Sequence, residues 1–280
     1  MGFKAVIKKN IDNPVTHTSI KKNEEDLESI TRNSVNTKFN HFKILIGCPV
    51  RNREWILNDY LESIKKLNFP KKNISLCFIV NDSTDNSERI LRIFQNNNIK
   101  KYDNILILTK NLNTPVDNRS GTVRNILYGS LANLRNHLLD VAKILNVDYL
   151  FSIDSDILVS SNSLVDLLEC NKDIISMQIW NDERKIFPNI LIKNPDSTKK
   201  AEFVHYKKFP TNSIFECDAT GACYLLSKNV FENVKYSWHV QGEDMAFCKD
   251  AKDLNYEIWC NPLIKCEHYL NKDEYLKLKK

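Results

Sequence analysis

Asp154 and Asp156 stand one residue apart inside the apolar run FSIDSDILV, residues 151–159. An ionised carboxylate near a core is costly unless a partner compensates it. Two carboxylates at i and i+2, just past a strand, can share one hard cation or its waters. The same pair also reads as a strand end, with Asp156 capping a helix near Ser161–Leu168. A calcium loop is excluded, because Leu158 occupies a ligand position and the required glycine is missing. An aspartic-protease loop fails too, because Asp156 stands where that loop needs glycine.

A second acidic pair, Glu243-Asp244, opens a helix in GEDMAFC, with Phe247, Ala251 and Leu254 turned inward. The pair is expected on the exposed first turn, where the positive helix end favours ionised carboxylates. It is either a helix-end charge or a proton acceptor. Arg51 and Asp82 follow strands, and Asp82 also suits a plain turn. Arg53 reads as a surface charge. Arg135 sits on a long helix, where it could pair with a surface acid. His268 is either structural or one imidazole on a hard ion such as Mn²⁺. Trp180, Trp238 and His239 belong either to the core or to a sugar-stacking surface.

These residues need elements to hold them. Lys43–Val50 is a buried-strand signal, and Glu54–Leu67 carries apolar residues at helical spacing. Strands follow at Ile74–Val80 and Asn104–Leu108, with a loop, a cap and a helix in NDSTDNSERILRIF between them. A long helix over Thr122–Leu145 shows a stripe at Leu127, Leu131, Leu134, Leu138, Val141 and Leu145. Tyr149–Ile153 is the strand that ends at the acidic pair. Strands alternating with helices specify an α/β fold, a doubly wound and mostly parallel sheet flanked by helices. Ligands of such sheets bind beyond the carboxyl ends of the strands, where Asp82, Asp154 and Asp156 fall. Later strands are expected at Ile174–Trp180, Phe187–Ile192, Glu202–Tyr206, Ala222–Leu226 and Glu257–Cys260, with a helix at Glu243–Leu254.

The chain of 280 residues is 42% apolar, enough for one large domain. Residues 1–40 read as a polar extension in which EEDLESI forms a short helix, and 271–280 as a basic tail. Net charge is +5 without a basic block, which argues against a nucleic-acid partner and fits mild attraction for phosphates. Eight cysteines without a CxxC pair or zinc spacing fit a reducing, cytoplasmic compartment. No apolar h-region or membrane-spanning run is found, and Val6 breaks a myristoylation pattern at Gly2. A soluble protein, at most peripheral at a membrane, is expected.

The order of motifs resembles GT-A (nucleotide-diphospho-sugar transferase) glycosyltransferases, in particular family 2 enzymes and the Anp-type mannan-polymerase subunits. The matching stretches are CPVRNREW, IVNDSTDNS, LRN at 134–136, IDSD at 153–156, ATGACYLLSKNVF, GEDMAFC and CEH at 266–268. The resemblance covers about residues 43–270. It implies a GT-A domain over 41–270, with a nucleotide-binding half at 41–160 and an acceptor half at 161–270. It implies that Pro49, Val50 and Arg51 contact the nucleotide, Asp82 its base, and Arg135 the donor phosphates. Asp154 and Asp156 would serve ribose and metal, with Asp156 the direct ligand of Mn²⁺ or Mg²⁺ and His268 completing the shell. Gly221 would back the sugar, and Glu243 would support an acceptor contact. The activity implied is hexosyl transfer from a nucleoside diphosphate sugar, UDP favoured, to a glycan, lipid-linked or protein hydroxyl. An inverting enzyme would use Asp244 as base. Anp-type enzymes retain configuration, and family 2 members usually carry Asp where Ile157 stands, so stereochemistry stays open.

Two other readings fit the residues. A nucleotidyltransferase shares the sheet and the Asp-bound Mg²⁺ but begins with a Gly-rich loop that CPVRNREW lacks. A non-catalytic nucleotide-sugar-binding protein remains if Glu243-Asp244 is only a helix end.

Overall fold

The computed structural model describes residues 38–115, 121–196, 198 and 200–279. The helix expected over EEDLESI lies outside them. In chain order the strands are β1 (Ile44–Val50), β2 (Ile74–Asn81), β3 (Asn104–Lys110), β4 (Tyr149–Ile153), β5 (Ile157–Val159), β6 (Ile174–Met177), β7 (Leu191–Lys193), β8 (Phe203–His205), β9 (Phe215–Cys217), β10 (Cys223–Ser227), β11 (Ile258–Asn261) and β12 (Cys266–His268). The helices are α1 (Leu57–Lys65), α2 (Ser87–Asn98), α3 (Gly121–Ile144), α4 (Ser163–Glu169), α5 (Lys228–Asn233), α6 (Glu243–Asp253) and α7 (Lys272–Leu278).

Among the described residues the main sheet has eight strands in the order β3-β2-β1-β4-β10-β6-β11-β9. β1, β2, β3 and β4 run parallel, as do β6 and β11. β10 is antiparallel to both β4 and β6, and β9 to β11. β1 and β2 are apolar almost without interruption because both faces are covered. Pro49 is tolerated in β1 because pairing with β4 stops at Gly47, so its missing N–H interrupts no ladder on that side. Gly47 is needed where α3 lies closest to the sheet: a Cβ there would sit 2.7 Å from the Cys77 carbonyl oxygen and 2.9 Å from Leu138 Cδ2.

Several features differ from the sequence reading: the strand expected at Phe187–Ile192 is β7 at Leu191–Lys193, and the short strands β5, β9 and β12 were not expected. The expected strand to Trp180 stops at Met177, because the backbone beyond is claimed by the side chain of buried Asn189. Asn189 Nδ2 donates to the Met177 carbonyl at 2.9 Å, and its Oδ1 accepts from Ile179 N at 2.9 Å. The basic tail is also structured: Asn271 caps α7 by accepting from Glu274 N at 3.0 Å, and buried Tyr275 donates to Asp59 at 2.6 Å. No helix among the described residues is long and apolar enough to cross a membrane.

The contact at Gly47 yields a prediction. Gly47→Ala must push against backbone, a form of overpacking worth about 1–3 kcal/mol, or about 2–4 °C of melting temperature per kcal/mol. A thermal melt should show that loss, and an unchanged midpoint would mean α3 does not rest on β1 there.

Candidate active site

Beyond the carboxyl ends of β1 and β4 lies a cavity of 790 Å³, bounded by α3 and the start of α6. That volume suits a small-molecule ligand. Its floor is organised by Arg135, only 3% exposed, which α3 carries inward. Arg135 Nε donates to Glu243 at 3.0 Å, one terminal nitrogen to Ser152 Oγ at 3.2 Å and the other to Asp154 at 2.9 Å. Asp244 lies 3.6 Å from the same Nε. One guanidinium therefore serves three carboxylates.

One cation cannot offset three anions in a buried site, so protonation of a carboxyl relieves the imbalance. Burial pushes the Asp244 carboxyl up to about 7, against the pull of Arg135 and with Glu243 and Asp154 adding repulsion. Burial also raises Asp154. The expectation of an exposed first turn is thus corrected: Glu243 is 4% exposed and the Asp244 side chain 19%. The reason is that α6 begins against Arg135 rather than against solvent. Glu243 is an ion-pair partner of Arg135 in the floor of the cavity. Gly221 backs Asp244 instead of an open sugar pocket, since a Cβ there would stand 2.3 Å from Asp244 Oδ2.

Asp156 lines the cavity between two other partners. Arg53 donates to its Oδ2 at 3.0 Å, and His268 Nε2 lies 3.8 Å from its Oδ1. Arg53 is therefore no surface charge; it also donates to the Arg51 carbonyl at 3.2 Å, while its buried Nε has no hydrogen-bond partner. Pairing of β12 with β5 sets His268 opposite Ile157, one residue past Asp156. Its Nδ1 lies 2.8 Å from the Trp180 carbonyl, so the ring's hydrogen goes there and Nε2 turns toward Asp156. Asp154 lines the same cavity and accepts from Arg135 through Oδ1. Among the described residues no three His, Cys, Asp or Glu side chains form a ready-made metal site. Asp156 and His268 supply two donors, which fits a hard ion that takes the rest of its shell from phosphate oxygens and water.

Pro49, Val50 and Arg51 line the same cavity. Arg51 donates to the carbonyls of Thr114 at 2.7 Å and Pro115 at 3.2 Å. Asp82, in the left-handed region at φ 49°, accepts from Thr114 N at 2.8 Å. Desolvation acts upward on its carboxyl, but bonds from Thr114 and Asn113 outweigh it and hold the group low. Asp82 thus braces the loop whose Thr114 lines the cavity. The aromatic candidates are not gathered with these residues. Trp180 packs against Phe209 and, with His268, lines a second cavity of 1170 Å³. Trp238 is 52% exposed and lines neither cavity, and His239 lies behind the first one, its Nε2 3.1 Å from Glu202 and its Nδ1 accepting from the N–H of the lining residue Gln241 at 3.1 Å. Sequence reasoning missed Tyr224, whose hydroxyl donates to Asp244 Oδ1 at 3.1 Å, and Asn189, whose Nδ2 also donates to the Gly221 carbonyl at 3.1 Å. Neither stands in a pattern that separates it from ordinary core.

Comparison with known proteins gives a family and a fold. The model of the family described as Anp1 matches residues 21–220. The anp1 subunit of the mannan polymerase II complex of Schizosaccharomyces pombe is 27% identical over 150 residues, 49% of this chain and 35% of that protein. Procollagen-lysine,2-oxoglutarate 5-dioxygenase of Drosophila melanogaster is 21% identical over 222 residues, 78% of this chain and 28% of that protein. The chain thus spans about a third of the length of these curated relatives. Among solved structures, the mannosyltransferase PcManGT from Pyrobaculum calidifontis, in complex with GDP-Man and Mn²⁺, superposes with a TM-score of 0.53 at 10% identity, covering 85% of this chain and 60% of that one. The fold is GT-A.

The Asp244 environment predicts a pH-dependent stability. A carboxyl held above its unfolded value favours the fold below about pH 4, and that contribution is lost as pH rises through about 7. Asp244→Asn cannot ionise. Its melting temperature relative to wild type should therefore climb between pH 5 and 8, and a difference that stays flat across that range would refute the strained carboxylate.

Proposed function

The chain belongs to the Anp1 family, and from that premise we propose that it is a metal-dependent glycosyltransferase moving a hexosyl group from a nucleoside diphosphate sugar to an acceptor hydroxyl. The observation that carries this reading is one cavity holding Asp156, Arg135 and an Asp244 whose carboxyl is poised near 7. A general base works best with a pKa close to the operating pH. A UDP-sugar is the first donor assigned, and the acceptor is a glycan, a lipid-linked intermediate or a protein. Eight free cysteines support a cytoplasmic setting.

Asp156 and His268 would hold Mn²⁺ or Mg²⁺, which when bound neutralises charge on the departing diphosphate. Arg51 sits at the nucleotide end of the cavity and closes the Thr114–Pro115 loop over it. Arg135 fixes Asp154 and Glu243, and through them the first turn of α6. In an inverting displacement Asp244 would take the proton from the acceptor hydroxyl as that oxygen attacks the anomeric carbon on the face opposite the diphosphate; retention, which the Anp-type resemblance implies, would leave it without that role. Burial in a dry floor keeps this carboxylate weakly solvated and reactive.

The experiment is turnover with detection of released nucleoside diphosphate, preceded by a thermal-shift screen of UDP- and GDP-sugars with Mn²⁺. Asp244→Asn should bind donor as wild type does and lose about 10²–10⁴-fold in kcat. A rate within a few-fold of wild type would remove Asp244 as base and with it the inverting assignment. Chelator in excess, and Asp156→Ala, should each abolish turnover while leaving the protein folded; full activity in either would end the metal assignment.

A further inference from the structure

We infer that Arg53 keeps the Asp156 site from holding a divalent ion by itself and makes it a site for an ion and a diphosphate together. The inference deepens the nucleotide-sugar reading, rests on it, and holds whichever configuration the transfer gives. Arg53 lies in the loop after β1, and its backbone is fixed. Its N–H donates to buried Ser87 Oγ at 2.8 Å, and its carbonyl accepts from Ile56 N at 3.1 Å and Leu57 N at 3.0 Å. From that base the side chain lines the first cavity and donates to Asp156 Oδ2 at 3.0 Å. The pair is partly sheltered from water, so its charges act strongly on whatever enters.

Asp156 is the acid placed to hold Mn²⁺ or Mg²⁺ with His268, whose Nε2 lies 3.8 Å from Oδ1. An ion there shares one carboxylate with a guanidinium. Four arginines and four carboxylates line the first cavity, so it is neutral when every acid is ionised. A divalent ion alone then leaves an excess of two positive charges, and protonation of Asp244 only deepens it. The diphosphate bridge of a nucleotide sugar brings two negative charges and restores the balance. Without Arg53 the cavity is negative and attracts the ion unaided.

The guanidinium also has donors to give. Of its five N–H groups, one goes to the Arg51 carbonyl at 3.2 Å and one to Asp156, while buried Nε has no hydrogen-bond partner. A buried donor left unpaired is costly, and phosphate oxygens suit a guanidinium. The side chain that repels a lone cation is thus short of an anion. Arg135 differs, because three carboxylates already oppose its charge.

Calorimetry with Mn²⁺ alone, and then with UDP or GDP at saturating Mn²⁺, separates the two effects. Arg53→Met should bind Mn²⁺ alone about 10-fold more tightly than wild type and bind the nucleotide about 10-fold more weakly, the scale of one unit charge acting at close range in a partly wet site. Arg53→Lys keeps the charge, so its Mn²⁺ Kd should stay near wild type and its nucleotide Kd should recover in part. A thermal melt in chelator checks folding, and Arg53→Gln replaces Arg53→Met should that variant not fold. An arginine that only orients Asp156 would leave the variant with a weaker or unchanged Mn²⁺ Kd, and either result overturns the inference. Wild type that binds neither UDP nor GDP overturns the nucleotide-sugar reading and this inference together, whereas nucleotide binding beside an unmoved Mn²⁺ Kd overturns the inference alone.

Discussion

A single buried guanidinium organises the active end of this fold. Arg135 reaches from the long helix to the end of β4 and to the first turn of α6, so three elements distant in sequence meet at one side chain. Removing one partner from a buried ion pair is far costlier than the net worth of the pair, which ties these elements to a single arrangement. The excess of carboxylates over cations there is destabilising in itself. It is also what makes one of them an acceptor of protons near neutral pH.

Asp156 stands in a different balance. It faces a cation from the loop after β1 and the imidazole of His268 on β12, and it lines one cavity while that imidazole lines the other. Asp154 pairs with Arg135 whereas Asp156 pairs with Arg53 and approaches His268, so the two acids face different partners.

Much of the frame was legible because buried parallel strands leave long apolar runs and α3 leaves an unbroken stripe. The positions of Asp154 and Asp156 followed from a strand end, whereas Arg135, inside the long helix, was brought to the site only by the family resemblance. What failed did so for a common reason, that charge partners across the fold leave no local pattern. Arg53 looked like surface because its acid lies 103 residues away. Glu243 looked exposed because a helix start gives no sign of what it is docked against. Short β5 and β12 were invisible singly, and only their pairing defines them. Tyr224 was hidden inside an apolar strand, where a tyrosine reads as bulk.

The antiparallel strand β10 has a consequence for the ribosome. It closes the free edge of β4, pairing Cys223 with Ile153, so the strand that carries the DxD acids waits for a partner about 70 residues downstream. At ordinary rates of synthesis that is a delay of roughly 4–14 s. Throughout it an apolar strand edge has nothing to pair with in its own chain, the kind of edge on which nascent chains associate. The parallel strands β1–β4 are made first, and the edge of β4 is closed only by a strand made later.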